Sequence, residues 1–156
     1  MSVKLAINGF GRIGRNILRA VIENNRKDVE VVAINDLGSP EMNLHLLKYD
    51  SVHGRFPGSL VLEGNEIKIN NHSIKITAER NPEDLPWEDI DIALECTGVF
   101  TDKEKASMHL KNGSKKVLIS APATNADKTI VFGVNHSSLT RDDLIVSNAS
   151  CTTNCL

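Results

Sequence analysis

The hydrophobic pattern changes period several times along the chain. Val3-Lys4-Leu5-Ala6-Ile7 is a short apolar run of strand length, and Ile13, Ile17, Leu18 and Val21 then recur at helical spacing. The spacing predicts a strand followed by a helix from about Gly11 to Glu23, left through the polar loop Asn24-Asn25-Arg26-Lys27-Asp28. Val29 to Ile34 is a second β-branched run. Ser39-Pro40-Glu41 then carries a helix start, with Ser39 as N-cap, Pro40 at the first position and an acid in the first turn. Leu44, Leu47 and Met42 form the apolar side of that helix, and Tyr49 to Gly58 makes a long turn-rich connection. From Ser59 the period falls to two. Leu60-Val61-Leu62, Glu66 to Ile69 and Ser73 to Thr77, separated by Gly64-Asn65 and Asn70-Asn71, predict antiparallel strands at a sheet edge.

Asn81-Pro82 and Leu85-Pro86-Trp87 bracket one short helical turn before the strand Asp91 to Glu95. Thr101-Asp102-Lys103-Glu104 has the form of a capping box, with Thr101 as N-cap of a helix reaching about Lys111 and stopping at Asn112-Gly113. Three further strands are expected at Lys116 to Ser120, Thr129 to Phe132 and Leu144 to Ser147. Strands alternating with helices imply an α/β fold, a doubly wound parallel sheet with an antiparallel edge extension. In such sheets ligands lie beyond the carboxyl ends of the strands. Those ends carry Asn8-Gly9, Asn35-Asp36, Cys96-Thr97-Gly98, Ser120-Ala121-Pro122 and Asn148-Ala149-Ser150, and one cleft is expected to hold them.

The first strand runs into Asn8-Gly9-Phe10-Gly11-Arg12-Ile13-Gly14, a G-x-G-x-x-G between strand and helix. Gly9 permits a tight turn, Gly11 lets a pyrophosphate reach the backbone, and Gly14 lets helix and strand pack closely. The N–H groups and dipole of the helix start favour the phosphate charge. Asp36, at the end of the second strand, lies 22 residues after Gly14, close to the roughly 20 expected of the acid that holds a ribose 2′-OH. Its carboxylate repels a 2′-phosphate, and Leu37-Gly38 supplies no arginine to hold one. The Rossmann-type reading is therefore an NAD site rather than an NADP site.

Near the end of the sequence, Ser150 or Asn148 is placed to cap a helix with Cys151 in its first turn, where thiolate is favoured over thiol. Residue pattern alone leaves Cys151 either a small buried side chain or a nucleophile for a carbonyl carbon. Cys155 is one turn later, at the wrong spacing for a C-x-x-C pair; it and Cys96 are expected to pack. Metal-ligand spacing is not evident. The chain has 156 residues, one domain's length, with net charge −2 and acids and bases mixed, so neither nucleic acid nor membrane is an expected partner. Three cysteines without framework spacing and the lack of a signal-peptide pattern point to a cytoplasmic protein.

The runs Asn8 to Arg15, Asn35-Asp36-Leu37, Leu46 to Ser51, Cys96 to Phe100, Ser120-Ala121-Pro122, Gly133 to His136 and Ser147 to Cys155 together resemble the glyceraldehyde-3-phosphate dehydrogenases. The resemblance implies an oxidoreductase of glycolysis in which the Cys151 thiolate attacks an aldehyde, hydride passes to NAD, and inorganic phosphate releases an acyl phosphate. It implies that Arg12 and Ile13 lie along the pyrophosphate, that Asp36 holds the adenosine ribose, that Arg80 lies on the adenine side, and that Gly9, Phe10, Gly11 and Asn35 are cofactor-binding with them. Thr97 and Gly98 line the cleft, Ser120 lies near the nicotinamide, and Ser150 and Thr152 flank the nucleophile and bind substrate. Residues 1–150 are then the NAD-binding domain and 151–156 the start of the catalytic helix, with the catalytic domain absent. The aldose phosphate and phosphate sites and the histidine that activates the thiol belong to that absent half; none of His45, His53, His72, His109 and His136 matches it. The family also implies a homotetramer and a C-terminal helix covering this domain, without which an apolar groove lies open. The 156-residue piece is expected to be inactive by itself. Erythrose-4-phosphate dehydrogenase shares the Cys151 run, but Asp36 and Ser120-Ala121-Pro122 favour the glyceraldehyde enzyme. A stand-alone dinucleotide-binding module is the other alternative.

Overall fold

A computed structural model describes residues 2–70 and 72–156. Nine strands form one sheet in the order β10-β11-β9-β8-β1-β2-β7-β6-β5. They are β1 (Val3–Asn8), β2 (Val29–Asn35), β5 (Leu60–Glu63), β6 (Glu66–Ile69), β7 (His72–Thr77), β8 (Ile92–Glu95), β9 (Lys116–Ile119), β10 (Lys128–Thr129) and β11 (Ile145–Ser147). β3 (Tyr49–Asp50) and β4 (Gly54–Arg55) form a separate antiparallel pair within the turn-rich connection. All pairings from β7 through β10 are parallel, and β5-β6-β7 is the antiparallel edge. The Asn70-Asn71 turn expected between β6 and β7 includes Asn71, which lies outside the described residues.

Alternation along the strands builds two faces. Leu5 and Ile7 pack with Leu18 of α1 (Arg12–Glu23) and Leu47 of α2 (Pro40–Lys48), whereas Ala6 faces Trp87 and Ile90 on the other side. Val117 and Ile119 join Ala106 on that second side, under α3 (Lys103–Ala106) and α4 (Met108–Lys111). Ser39 caps α2 as expected, accepting from Met42 N–H at 3.2 Å, although Met42 itself is exposed.

The structure departs from the sequence pattern in definite places. α1 buries Gly14, Leu18 and Arg19 rather than Ile13, which is half-exposed. Arg19 is tolerated inside because its guanidinium donates to the carbonyls of Leu47, His53 and Gly54, pairs with Glu23, and lies over the Phe56 ring. The N-cap of α3 is Asp102, accepting from Glu104 N–H at 2.8 Å, not Thr101, whose carbonyl instead accepts from Thr124 N–H. Ser107 then interrupts the helix between α3 and α4. The strand expected over Thr129 to Phe132 ends at Thr129. Asn135 takes the Val131 N–H and donates to the Thr129 carbonyl, turning the chain away from the ladder and leaving Phe132 exposed.

Asp50 ties this framework to the glycine turn. It accepts from the N–H groups of Val52 and His53, both at 2.8 Å, and from Arg12 at 3.0 Å. The two backbone donors, with Arg12 behind them, hold its carboxyl down at about 2. A lowered folded-state value means a stabilising contribution that is complete above the ordinary carboxylate range and lost as pH falls from about 4 towards 2. Asp50→Asn keeps a side-chain acceptor but removes the titration. Its urea midpoint is expected to fall less steeply than that of the unsubstituted protein between pH 4 and 2; parallel curves would contradict the assignment.

Candidate dinucleotide site

The carboxyl ends of the parallel strands open into two cavities, not the single cleft expected. The first, about 380 Å³, is lined by Gly9, Gly11, Asn35, Asp36, Arg80 and Thr97 among the expected residues, together with Asn8, Leu37, Glu79, Val99 and Phe100. The second, about 320 Å³, is lined by Ile13, Ser120, Ser150 and Cys151, with Asn148, Asn154 and the apolar Ile17, Leu94 and Leu118. Cys96 borders both, and the glycine turn at the head of α1 stands between them.

The turn has the geometry its sequence predicts. Gly9 adopts φ +90°, and a β-carbon there would meet the Cys96-Thr97 backbone at under 3 Å. A β-carbon on Gly14 would collide with the Gly9 carbonyl. At Gly11 the same atom would touch nothing, so the protein itself does not require glycine there; an approaching ligand would. Helix α2 is capped by Ser39, α3 by Asp102, and α5 (Cys151–Cys155) by Ser150. α1 has no side-chain cap and no acid in its first turn, as is also true of α4, which only continues α3 through Ser107. The first N–H groups and positive end of α1 are left for an anion beside Gly11.

Asp36 Oδ2 accepts from Phe10 N–H and Oδ1 from Gly38 N–H, both at 2.8 Å. Asn43 Nδ2 also donates to Oδ1, at 3.5 Å; a carboxylate offers about four lone-pair positions, so capacity for a ribose hydroxyl remains. Arg80 is exposed in the wall of this cavity. Phe10 is buried and contributes its backbone; Arg12 turns outward to Asp50; Gly98 sits at φ +74° outside the lining, and Thr152 is exposed outside both cavities.

Ser150 Oγ accepts from Thr153 N–H at 3.0 Å, which puts Cys151 in the first turn of α5 with its side chain exposed. Ala149 precedes it at φ +55°, a left-handed conformation costly for alanine. Ser147 Oγ, which accepts from Ala149 N–H, and Asn154 Nδ2, which donates to the carbonyls of Asn148 and Ser150, hold it there. Cys96 is half-buried, and burial pushes its thiol up to about 11, against a smaller opposing effect of a Ser120 hydrogen bond. Cys155 is exposed rather than packed, because the last turn of α5 has no element over it among the described residues. Sequence reasoning missed Glu79, Val99 and Phe100 as lining residues; they follow strand ends whose positions only the fold aligns.

A family model described as the NAD binding domain of glyceraldehyde 3-phosphate dehydrogenase matches residues 3–103. The chain belongs to this family. Glyceraldehyde-3-phosphate dehydrogenases of Cereibacter sphaeroides and Xanthobacter flavus are each 63% identical to it, and that of Geobacillus stearothermophilus is 54% identical. Each alignment covers 100% of this chain and 47% of the relative. The chain thus spans about half the length of the curated relatives it matches. Residues 3–103 match the family's NAD-binding domain, in accord with the uncapped α1 start and the open space at Gly11. Among the described residues, no helix is long and apolar enough to cross a membrane.

Proposed function

We propose that this chain is the NAD-binding half of a phosphorylating glyceraldehyde-3-phosphate dehydrogenase, acting in glycolysis as a cytoplasmic homotetramer. The observation that carries the reading is the pairing of the two cavities across the glycine turn, with Asp36 in one and Cys151 in the other. In this reading Asp36 holds the adenosine ribose, with Asn35 beneath it and Arg80 and Thr97 beside it. The backbone of Gly9 to Ile13 follows the diphosphate, Gly98 shapes the adjoining turn, and Ser120 lies towards the nicotinamide. NAD, when bound, supplies the hydride acceptor. Cys151 Sγ adds to the aldehyde carbon and carries the acyl group as a thioester until inorganic phosphate takes it, which returns the free sulfur and gives an acyl phosphate. Ser150 and Thr152 orient the substrate around that sulfur. No histidine lines the Cys151 cavity among the described residues, so the general base, like the two phosphate sites, is assigned to the other half.

The test is NADH formation by the full-length protein from glyceraldehyde 3-phosphate, NAD and phosphate. Cys151→Ser is expected to lower kcat by roughly 10³-fold or more, and residues 1–156 alone to show negligible turnover. A variant that keeps its rate, or a faster reaction with erythrose 4-phosphate, would contradict the proposal.

A further inference from the structure

A buried run of polar side chains lies under the first cavity. Glu95 and His109 have no exposed side-chain surface. Glu95 Oε1 accepts from Thr97 N–H at 2.8 Å and from the Thr97 hydroxyl. Its Oε2 accepts from Asn8 Nδ2 at 2.7 Å and from His109 Nε2 at 2.9 Å. Asn8 Oδ1 accepts in turn from Asn35 Nδ2, which also donates to the Glu79 carbonyl, both at 2.8 Å. Asn35 Oδ1 accepts from the Thr77 hydroxyl and from Glu79 N–H. The run crosses β8, β1, β2 and β7, and Asn8, Asn35, Glu79 and Thr97 are all cavity-lining residues.

Its direction is set at one end. An asparagine amide has nearly the same shape in both orientations, so its hydrogen-bond partners choose between them. Glu95 presents two acceptor oxygens. Asn8 must therefore turn its NH₂ group towards Glu95 and its oxygen towards Asn35, and Asn35 must turn its NH₂ group back towards Asn8. Only then does Asn35 offer one oxygen to Glu79 N–H and one N–H to the Glu79 carbonyl, fixing the backbone that leads into Arg80. His109 holds Glu95 from the α4 side, its ring stacked on Trp87 at 5.5 Å between centroids. Nε2 faces the carboxylate and carries the proton in that bond; Nδ1 has no partner among the described residues.

We propose that Glu95 and His109 are positioning residues for the dinucleotide pocket: through the Asn8–Asn35 amide chain they hold the ends of four strands in the register that NAD requires. The inference rests on the dinucleotide reading above and adds to it two residues that touch no ligand themselves.

The test is calorimetric NAD titration of the full-length protein with steady-state kinetics. Glu95→Gln, nearly isosteric, places an NH₂ group against either the Thr97 donors or the Asn8 and His109 donors. It is expected to weaken NAD binding on the order of 10-fold or more. His109→Leu should do the same, and His109→Gln, which keeps a donor at the Nε2 position, should recover affinity to within about 3-fold. KM for NAD should rise while kcat at saturating NAD stays within about 3-fold, because the pocket floor shifts rather than the reacting atoms. Trp87→Phe removes part of the packing on His109 and leaves the hydrogen bonds, so it should lower Tm without lowering affinity. Should His109→Leu not fold, Glu95→Gln carries the result. Unchanged affinity in Glu95→Gln, or equal losses in Trp87→Phe and His109→Leu, would overturn the inference. If the unsubstituted protein took up no NAD, the dinucleotide reading would fall and this one with it.

Discussion

Gly14→Ala is expected to remove a large part of the folding stability. In an ordinary helix the same change stabilises by about 1 kcal/mol, so the predicted sign is reversed. The cause is local: the new β-carbon would overlap the Gly9 carbonyl and lie 2.9 Å from Ile7 Cγ2. Gly9 has no room to yield. It sits at φ +90°, its N–H donates to the Asn35 carbonyl at 2.8 Å, and its other face rests on Cys96 and Thr97. Relief requires lifting α1 off β1 and opening the cluster around Ile7 and Leu18. A loss on the order of 4–5 kcal/mol follows, a large part of the 5–15 kcal/mol by which domains are stable. Gly11→Ala is the internal comparison. Its β-carbon meets no protein atom, so stability should stay within about 1 kcal/mol while NAD binding weakens. Urea denaturation of both variants measures this, and equal stabilities would contradict the packing argument.

Asp36→Ala is expected to weaken NAD binding on the order of 10- to 100-fold, the equivalent of about one hydrogen bond to a charged group. It also removes the acceptor from Phe10 N–H and Gly38 N–H, so the turn itself loosens. The preference for NAD over NADP should shrink at the same time. Without this carboxylate Glu79 is the one acid left among the lining residues, and Arg80 beside it is available to attract a 2′-phosphate. No arginine directly follows Asp36, and Arg80, expected on the adenine side, lines the same cavity. Titration of both variants with both dinucleotides decides the point; unchanged NAD affinity would remove Asp36 from its assigned place.

What the sequence disclosed was whatever is local. The strand, glycine turn and helix of the first 23 residues, the Ser39 and Ser150 caps and the antiparallel edge strands each depend on neighbours a few positions apart. What it concealed was set by distant partners. Arg19 occupies a helical position that polarity assigns to solvent, and only carbonyls 28 to 35 residues away make its burial possible. Asn8 and Glu95, 87 residues apart, look like polar strand exits until the sheet joins them. Thr101 lost its capping position because Thr124, from another loop, engaged its backbone. At the site, the residue types were legible, but the division into two cavities was not. It depends on where α1 begins relative to β8, a matter of packing rather than pattern.

The central claim is that a dinucleotide lies across the glycine turn with its adenosine beside Asp36 and its other end towards Cys151. A crystal structure of the full-length protein with NAD tests it most directly. The account predicts density from the Asp36–Arg80 cavity, past the N–H groups at the start of α1, into the Cys151 cavity, with the ribose hydroxyls on Asp36. Dinucleotide bound at another edge of the sheet, or with its adenosine in the Cys151 cavity, would contradict it.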